Sequence, residues 1–327
     1  MNIDYQTLLD RFRSILTKVG FDPERAHTIA TVFTDNTFDG VFSHGINRFP
    51  RLIGDVKSGT VDPHAIPLLV NSYASLEQWD GQKGPGIINA LHCTERAVQV
   101  AKKSGVGCIS LRNTNHWMRG GTYGWNAAEE GFMFIGWTNT IPNMPPWPGK
   151  FPSIGNNPFV MAIPSSKGHI VLDMAMSKYS YGKLEWHRHK GEQLPEYGGY
   201  DRENRLTKDP SAILESERIL PIGLWKGTAF SLLLDLTAAI LAGGNTSRII
   251  GQEKTETALS QVFIAMDIQR FMDKDQMDRL IEETLQFNSM TNPEARYPGQ
   301  RSMEARMKNR REGIGVPEGI WDEILRL

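Results

Sequence analysis

His44 and Arg48 stand four positions apart in the run Ser43-His44-Gly45-Ile46-Asn47-Arg48. On a helix, that spacing puts both side chains on one face about one turn apart. Imidazole is the side chain whose ordinary pKa lies nearest neutrality, so it can give a proton to a developing alkoxide and take it back in reverse. Guanidinium presents a planar fork that grips a carboxylate at two points. A keto acid held by its carboxylate on Arg48 would bring its carbonyl oxygen to His44, and the chemistry predicted from the pair is carbonyl reduction.

A second candidate is His116, flanked by Asn115 and Arg119 in a glycine-rich stretch that follows a predicted strand, where binding residues are commonly mounted. Trp117, Trp125, Trp137 and Trp147 suit either a core or a pocket wall. Other chemistries find less support. No G-x-G-x-x-G lies between a strand and a helix, since Gly105-Val106-Gly107 follows a helix, and the P-loop pattern is missing, so a nucleotide would not be bound in the Rossmann manner. His187 and His189 lack a second ligand pair and no H-E-x-x-H occurs, which argues against a metal centre. Ser43 adjoins His44 without a G-x-S-x-G elbow, leaving a hydrolase a weak alternative.

These residues must be held by a chain of 327 residues, long enough for two subdomains or one large domain. Lys+Arg 36 against Asp+Glu 37 gives no electrostatic reason to bind nucleic acid or an anionic membrane. Residues 1–10 lack the basic start and apolar core of a signal peptide, and no stretch approaches eighteen uninterrupted apolar residues, so a cytoplasmic protein is predicted. Cys93 and Cys108 are in no metal or redox spacing and read as buried thiols in a reducing compartment.

Apolar periodicity predicts helices over residues 8–19 and 23–39, and a third running to about residue 56 with Pro50 near its start. Strands are predicted over 68–73, 76–79, 106–111, 132–137 and 261–266, with a hairpin of 159–164 and 170–174 around Ser165-Ser166-Lys167-Gly168. Helices are predicted over 87–103, 225–241 and 273–287, and a basic amphipathic helix from Pro298-Gly299 to Gly313. Residues 179–220 are polar and predict a long excursion with little regular structure. The fold class expected is α+β, with a helical portion (1–66) joined by C-terminal helices (289–327), and a mixed-sheet, non-Rossmann portion (67–288).

Ser43-His44-Gly45-x-x-Arg48, Asn113-x-Asn115-His116, Gly155-x-Asn157-Pro158, Asp173-Met174-Ala175, Trp225-Lys226-Gly227 and Pro298-Gly299 occur in one order along the chain. In this the whole chain resembles the LDH2/MDH2 oxidoreductase family, the malate and sulfolactate dehydrogenases that lack a Rossmann fold. Arg112 to Gly121, Met144-Pro145-Pro146-Trp147, Ser180-Tyr181-Gly182 and Gln193-Leu194-Pro195 look most like its 2,3-diketo-L-gulonate reductase branch. The resemblance implies that His44 is the proton donor, with Arg48 on the substrate carboxylate and Ser43, Asn115 and His116 lining the same pocket. It further implies NAD contacts from His169, Ile170, Val171, Leu172, Asp173, Met174 and Ala175, from Trp225 and Lys226, and from Gly299, Gln300 and Arg301. A small keto-acid substrate, NADH as cofactor and a homodimer are implied with them.

Asn156 stands where such proteins often have threonine, and the Gln300-Arg301-Ser302 stretch departs too. The tip Ser165-Ser166-Lys167-Gly168-His169 is longer by an apparent residue, and its Lys167 and His169 raise NADP as an alternative cofactor through the extra 2′-phosphate. Malate, sulfolactate, ureidoglycolate or a cyclic imino acid are the alternative substrates; a catalytically silent keto-acid-binding protein is the alternative of another class.

Overall fold

The computed structural model describes residues 2–253 and 255–327. Its elements follow as β1 (Asn2–Ile3), α1 (Tyr5–Lys18), α2 (Pro23–Phe38), α3 (Phe49–Lys57), β2 (Leu68–Tyr73), β3 (Leu76–Asp80), α4 (Gly86–Ser104), β4 (Val106–Thr114), α5 (Gly121–Glu129), β5 (Met133–Thr138), β6 (Phe159–Ile163) and β7 (Ile170–Met174). They continue as α6 (Tyr181–Lys190), β8 (Gly199–Tyr200), β9 (Leu206–Thr207), α7 (Pro210–Ser216), α8 (Trp225–Ala242), α9 (Ser247–Ile250), β10 (Leu259–Met266), α10 (Lys274–Thr291), α11 (Gln300–Glu312), β11 (Ile314–Gly315) and α12 (Glu318–Arg326).

The first helices form because their starts are capped and their apolar stripes have somewhere to go. Asp4 accepts from the Thr7 N–H at the start of α1, and Asp22 accepts from Glu24 and Arg25 before the first-turn Pro23 of α2. Leu8, Phe12, Ile15 and Leu16 of α1 are buried against Ile29 and Phe33 of α2. Phe12 stacks on Phe49 of α3 with centroids 4.1 Å apart, and Phe33 meets the same ring edge-on. Ile314, Val316, Trp321 and Ile324 return from the C-terminus into this core, and β11 pairs with β1 through Ile3 and Ile314.

The seven-stranded sheet has the order β2-β3-β4-β10-β5-β6-β7. Its neighbours are antiparallel apart from β3 and β4, which run parallel with α4 as their crossover. Side chains alternate across it: Phe263 and Ala265 of β10 face α4 and α5, whereas Val262 and Ile264 face α8. The chain is thus the expected α+β protein with a mixed, non-Rossmann sheet, a helical start and returning C-terminal helices.

Three stretches differ from what their composition predicts. Residues 179–220 are ordered: Tyr179, Leu184, Leu194, Ile213 and Ile219 make a small core of their own between α6 and α7. The glycine-rich segment after β4 becomes α5, which packs closely on the sheet at Gly124, where an added Cβ would meet Val160 and Ala162 at 3.0 and 3.1 Å. The His44 run is not one helix: residues 42–44 and 46–48 are two short 3-10 turns separated by Gly45.

Part of α8 is an apolar face that the described residues leave uncovered. By length and composition α8 could cross a membrane. Its inner face, Leu234 and Ala238, covers the sheet, while Phe230, Leu233, Leu236 and Ile240 are exposed.

Candidate active site

The two turns of the His44 run are tied to the end of α2. The Thr37 hydroxyl accepts from the Ile46 N–H (2.9 Å), and the Asn36 amide donates to the His44 carbonyl (3.1 Å). Gly45 is required between them, because a Cβ there would lie 2.4 Å from the Thr37 hydroxyl and 2.8 Å from its backbone nitrogen. The run therefore lies against α2, with Ile46 buried in the helical core and His44 facing the segment after β4.

His44 meets His116 there, ring over ring, with centroids 5.7 Å apart and planes within 21°. The Ser43 hydroxyl is 3.0 Å from His44 Nδ1. His116 Nδ1 accepts from the Met118 N–H (2.9 Å), so when neutral this ring carries its proton on Nε2 and can donate it to a ligand oxygen. Both rings keep some open surface although protein closes around them. That enclosure, followed by the positive charges of Arg48 and Arg119, pushes His44 down to about 4. His116 is held well below its ordinary value by enclosure and then by Arg48.

Arg48 is the cation beside these rings. Its guanidinium has no hydrogen-bond partner among the described residues; its closest anion is Glu256, at 3.5 Å, which also lies 3.6 Å from Arg51. A half-buried fork with unused donors is built to receive another anion. Asn115 is differently engaged. Its amide donates to the carbonyls of Lys83 (2.8 Å) and Gly84 (3.0 Å) and accepts from the Thr257 hydroxyl (2.9 Å), so it fastens three backbone segments around the pocket. The structure thus brings Ser43, His44, Arg48 and His116 together and places Asn115 behind them as a staple.

A charge network braces this cleft. Asp39, just past α2, is ion-paired with Arg119 and accepts from both Nε and Nη2 of Arg306 at 2.7 Å each. The two guanidiniums also approach the Trp125 ring, at 5.7 and 4.9 Å from its centroid. Helices α2, α5 and α11 are locked at one point, which fixes Arg119 near His44.

Residues 169–175 occupy the free edge of the sheet. Ile170, Val171, Leu172, Asp173 and Met174 form β7, with His169 and Ala175 immediately outside it. The Val171 N–H donates outward to the Pro298 carbonyl (3.0 Å), so Asp173, two residues on, also turns its backbone outward from the sheet. The Asp173 carboxylate accepts from the Gly121 N–H at the start of α5 (2.8 Å); enclosure raises its pKa although water still reaches it. Gly299, at φ +94°, closes on this edge so tightly that a Cβ would lie 3.1 Å from the Val171 nitrogen. Gln300 begins α11 and bonds to Glu304, and Arg301 beside it is exposed. Two cavities, about 460 and 580 Å³, flank the 165–169 tip; Trp125, His169 and Arg306 line the first, and Lys167, Tyr297 and Gln300 the second. Trp225 and Lys226 are exposed at the start of α8.

Sequence reasoning missed Glu256, Arg51 and the Asp39–Arg119–Arg306 cluster. Arg51 lies three residues past Arg48 and helical spacing could have found it. Glu256 and Asp39 carry no local signal, because their partners are distant in the chain.

Fold and site together define an oxidoreductase acting on hydroxy and keto acids. The chain belongs to the malate/L-lactate dehydrogenase family, whose model matches residues 3–325. It is 40% identical to the 2,3-diketo-L-gulonate reductase of Klebsiella pneumoniae (strain 342) over 333 aligned positions that cover all of both chains. Among solved structures it is similar to the sulfolactate dehydrogenase of Methanocaldococcus jannaschii, with a TM-score of 0.89 and 29% identity over 99% of this chain and 95% of that one. The Δ1-piperideine-2-carboxylate reductase of Pseudomonas syringae gives a TM-score of 0.90 at 26% identity, covering 100% and 99%.

Proposed function

We propose that this enzyme reduces 2,3-diketo-L-gulonate to 3-dehydro-L-gulonate with NADH, using His44 as proton donor and Arg48 as carboxylate anchor. The observation that carries this reading is the stacked pair His44 and His116 beside a guanidinium with unused donors. A carboxylate on Arg48 would neutralise the charge that depresses His44, raising its affinity for a proton as the carbonyl arrives. His116, as an Nε2–H donor, would steady the growing negative charge on the oxygen, and Ser43 would hold the His44 ring in orientation.

The residues toward the cofactor fit a dinucleotide. Asp173 turns its backbone outward at the edge of β7 and its carboxylate is exposed beside the Gly121 N–H, while Gly299 packs closely against the same strand. Lys226 supplies a cation at the start of α8. When bound, NADH would supply the hydride to C2 of the keto acid. NADH is favoured over NADPH because Lys167 is already paired with Glu282 (2.5 Å), Ser166 with Asp278, and His169 lies 3.4 Å from Glu129. A 2′-phosphate would meet these carboxylates. In the same reading the helical portion (1–66 with 289–327) and the sheet portion (67–288) form the two walls of the cleft, in a cytoplasmic enzyme.

The test is loss of the reduced-nicotinamide absorbance with a panel of 2,3-diketogulonate, oxaloacetate, pyruvate and sulfopyruvate. Oxidation of NADH, fastest with the diketo acid, is expected. Preference for another acid would replace the substrate and leave the mechanism.

The apolar outer face of α8 supports a homodimer in which this face is covered. Light scattering should give twice the mass of one chain, and Leu233→Asp with Ile240→Asp should shift it toward one. A monomeric wild type would refute the assignment.

A further inference from the structure

Glu256 is a carboxylate of the protein itself, set where two arginines converge on the substrate pocket. Its side chain is 7% exposed, and one oxygen, Oε2, lies 3.5 Å from Arg48 and 3.6 Å from Arg51. Neither approach is a hydrogen bond, so the carboxylate partly offsets the arginines' charge without using up the donors of Arg48. It is also held in place: the next residue, Thr257, donates to Asn115, whose amide is fixed in turn by the backbone of Lys83 and Gly84. Asp55 stands 4.0 Å from Arg51. Two cations therefore already face two carboxylates before a ligand enters.

A substrate with one carboxylate can take the free face of the Arg48 fork, adding a single negative charge. One with a second anionic group would bring that group toward arginines whose charge Glu256 already partly offsets, and toward Glu256 itself. We propose, building on the keto-acid reading of the pocket, that Glu256 determines charge specificity: it excludes keto acids with a second anionic group and reserves the site for monocarboxylates with a neutral tail. Taking away its charge exposes Arg51 as a second anion seat.

Glu256→Gln keeps the shape and removes the charge. The ratio of kcat/KM for oxaloacetate to that for 2,3-diketogulonate should rise about tenfold or more in this variant, and adding Arg51→Ala should cancel the gain. A merely structural Glu256 would lower both activities together and leave the ratio unchanged, which would overturn the proposal. Binding gives a readout without turnover: calorimetry on the unliganded enzyme should show malonate gaining affinity about tenfold in Glu256→Gln while propionate changes little. Equal changes for both would also overturn it. If the wild type reduces no keto acid but the malonate shift is seen, the catalytic reading fails and the charge selector stands.

Discussion

His44→Gln is expected to lower kcat for keto-acid reduction about 10³-fold while leaving NADH affinity within about twofold. Glutamine keeps a polar side chain of similar reach but has no proton to give. The cofactor contacts assigned above involve β7, α8 and the start of α11, and none includes His44, so the loss should fall on turnover. Parallel loss of NADH affinity would contradict the assignment. The wild-type pH profile carries the same argument. In the free enzyme His44 is pushed down to about 4 by enclosure and by Arg48, so it is neutral at pH 7. Reduction requires the protonated form, so kcat/KM should fall as pH rises above that value. The carboxylate of a bound keto acid cancels the Arg48 charge and raises His44, so binding should take up protons and the fall in kcat should come at higher pH than the fall in kcat/KM. For oxidation of the hydroxy acid the sign reverses: neutral His44 is the base, and activity should be lost only as pH drops toward the lowered value. A proton-uptake measurement in two buffers of different ionisation enthalpy checks this, and release instead of uptake would contradict it.

Arg48→Lys is expected to raise KM for the keto acid about 10- to 100-fold. Lysine retains the charge and loses the fork. The Arg48 guanidinium makes no hydrogen bond to the described residues, so the protein itself has little to lose in stability. Unchanged KM would place the substrate carboxylate elsewhere, and a fall in kcat with KM constant would assign Arg48 to the transition state alone.

Much of this was legible in the sequence because local patterns dictate it. The stripe Leu8, Phe12, Ile15 and Leu16 has one use, and Asp22-Pro23 can start only a helix there. The sheet alternation in residues 261–266 survives its position between β4 and β5 because each face meets a different helix. The failures have physical causes. Helix α5 was hidden by Gly120, Gly121 and Gly124, which lower helix propensity; tertiary packing overrides this, since Val160 would lie 2.6 Å from a Cβ at Gly120, and Asp173 and Val160 would lie 3.0 Å from one at Gly121 and Gly124. The small core of Leu184, Leu194, Ile213 and Ile219 was hidden because its members are too far apart for any periodicity to show. The spacing that pairs His44 with Arg48 assumes a helix that is not there: two turns broken at Gly45 carry the chain past Thr37 instead. Glu256 was invisible because a charge in a polar stretch acquires meaning only from what folds against it.

The most direct measurement is transfer from NADH deuterated at C4 to 2,3-diketo-L-gulonate, followed by mass and proton analysis of the product. The account predicts one deuterium at C2 with wild type and a rate about 10³-fold lower with His44→Gln. Folded wild-type protein that binds NADH yet leaves it unoxidised with every keto acid supplied, or product carrying the label at another carbon, would contradict it.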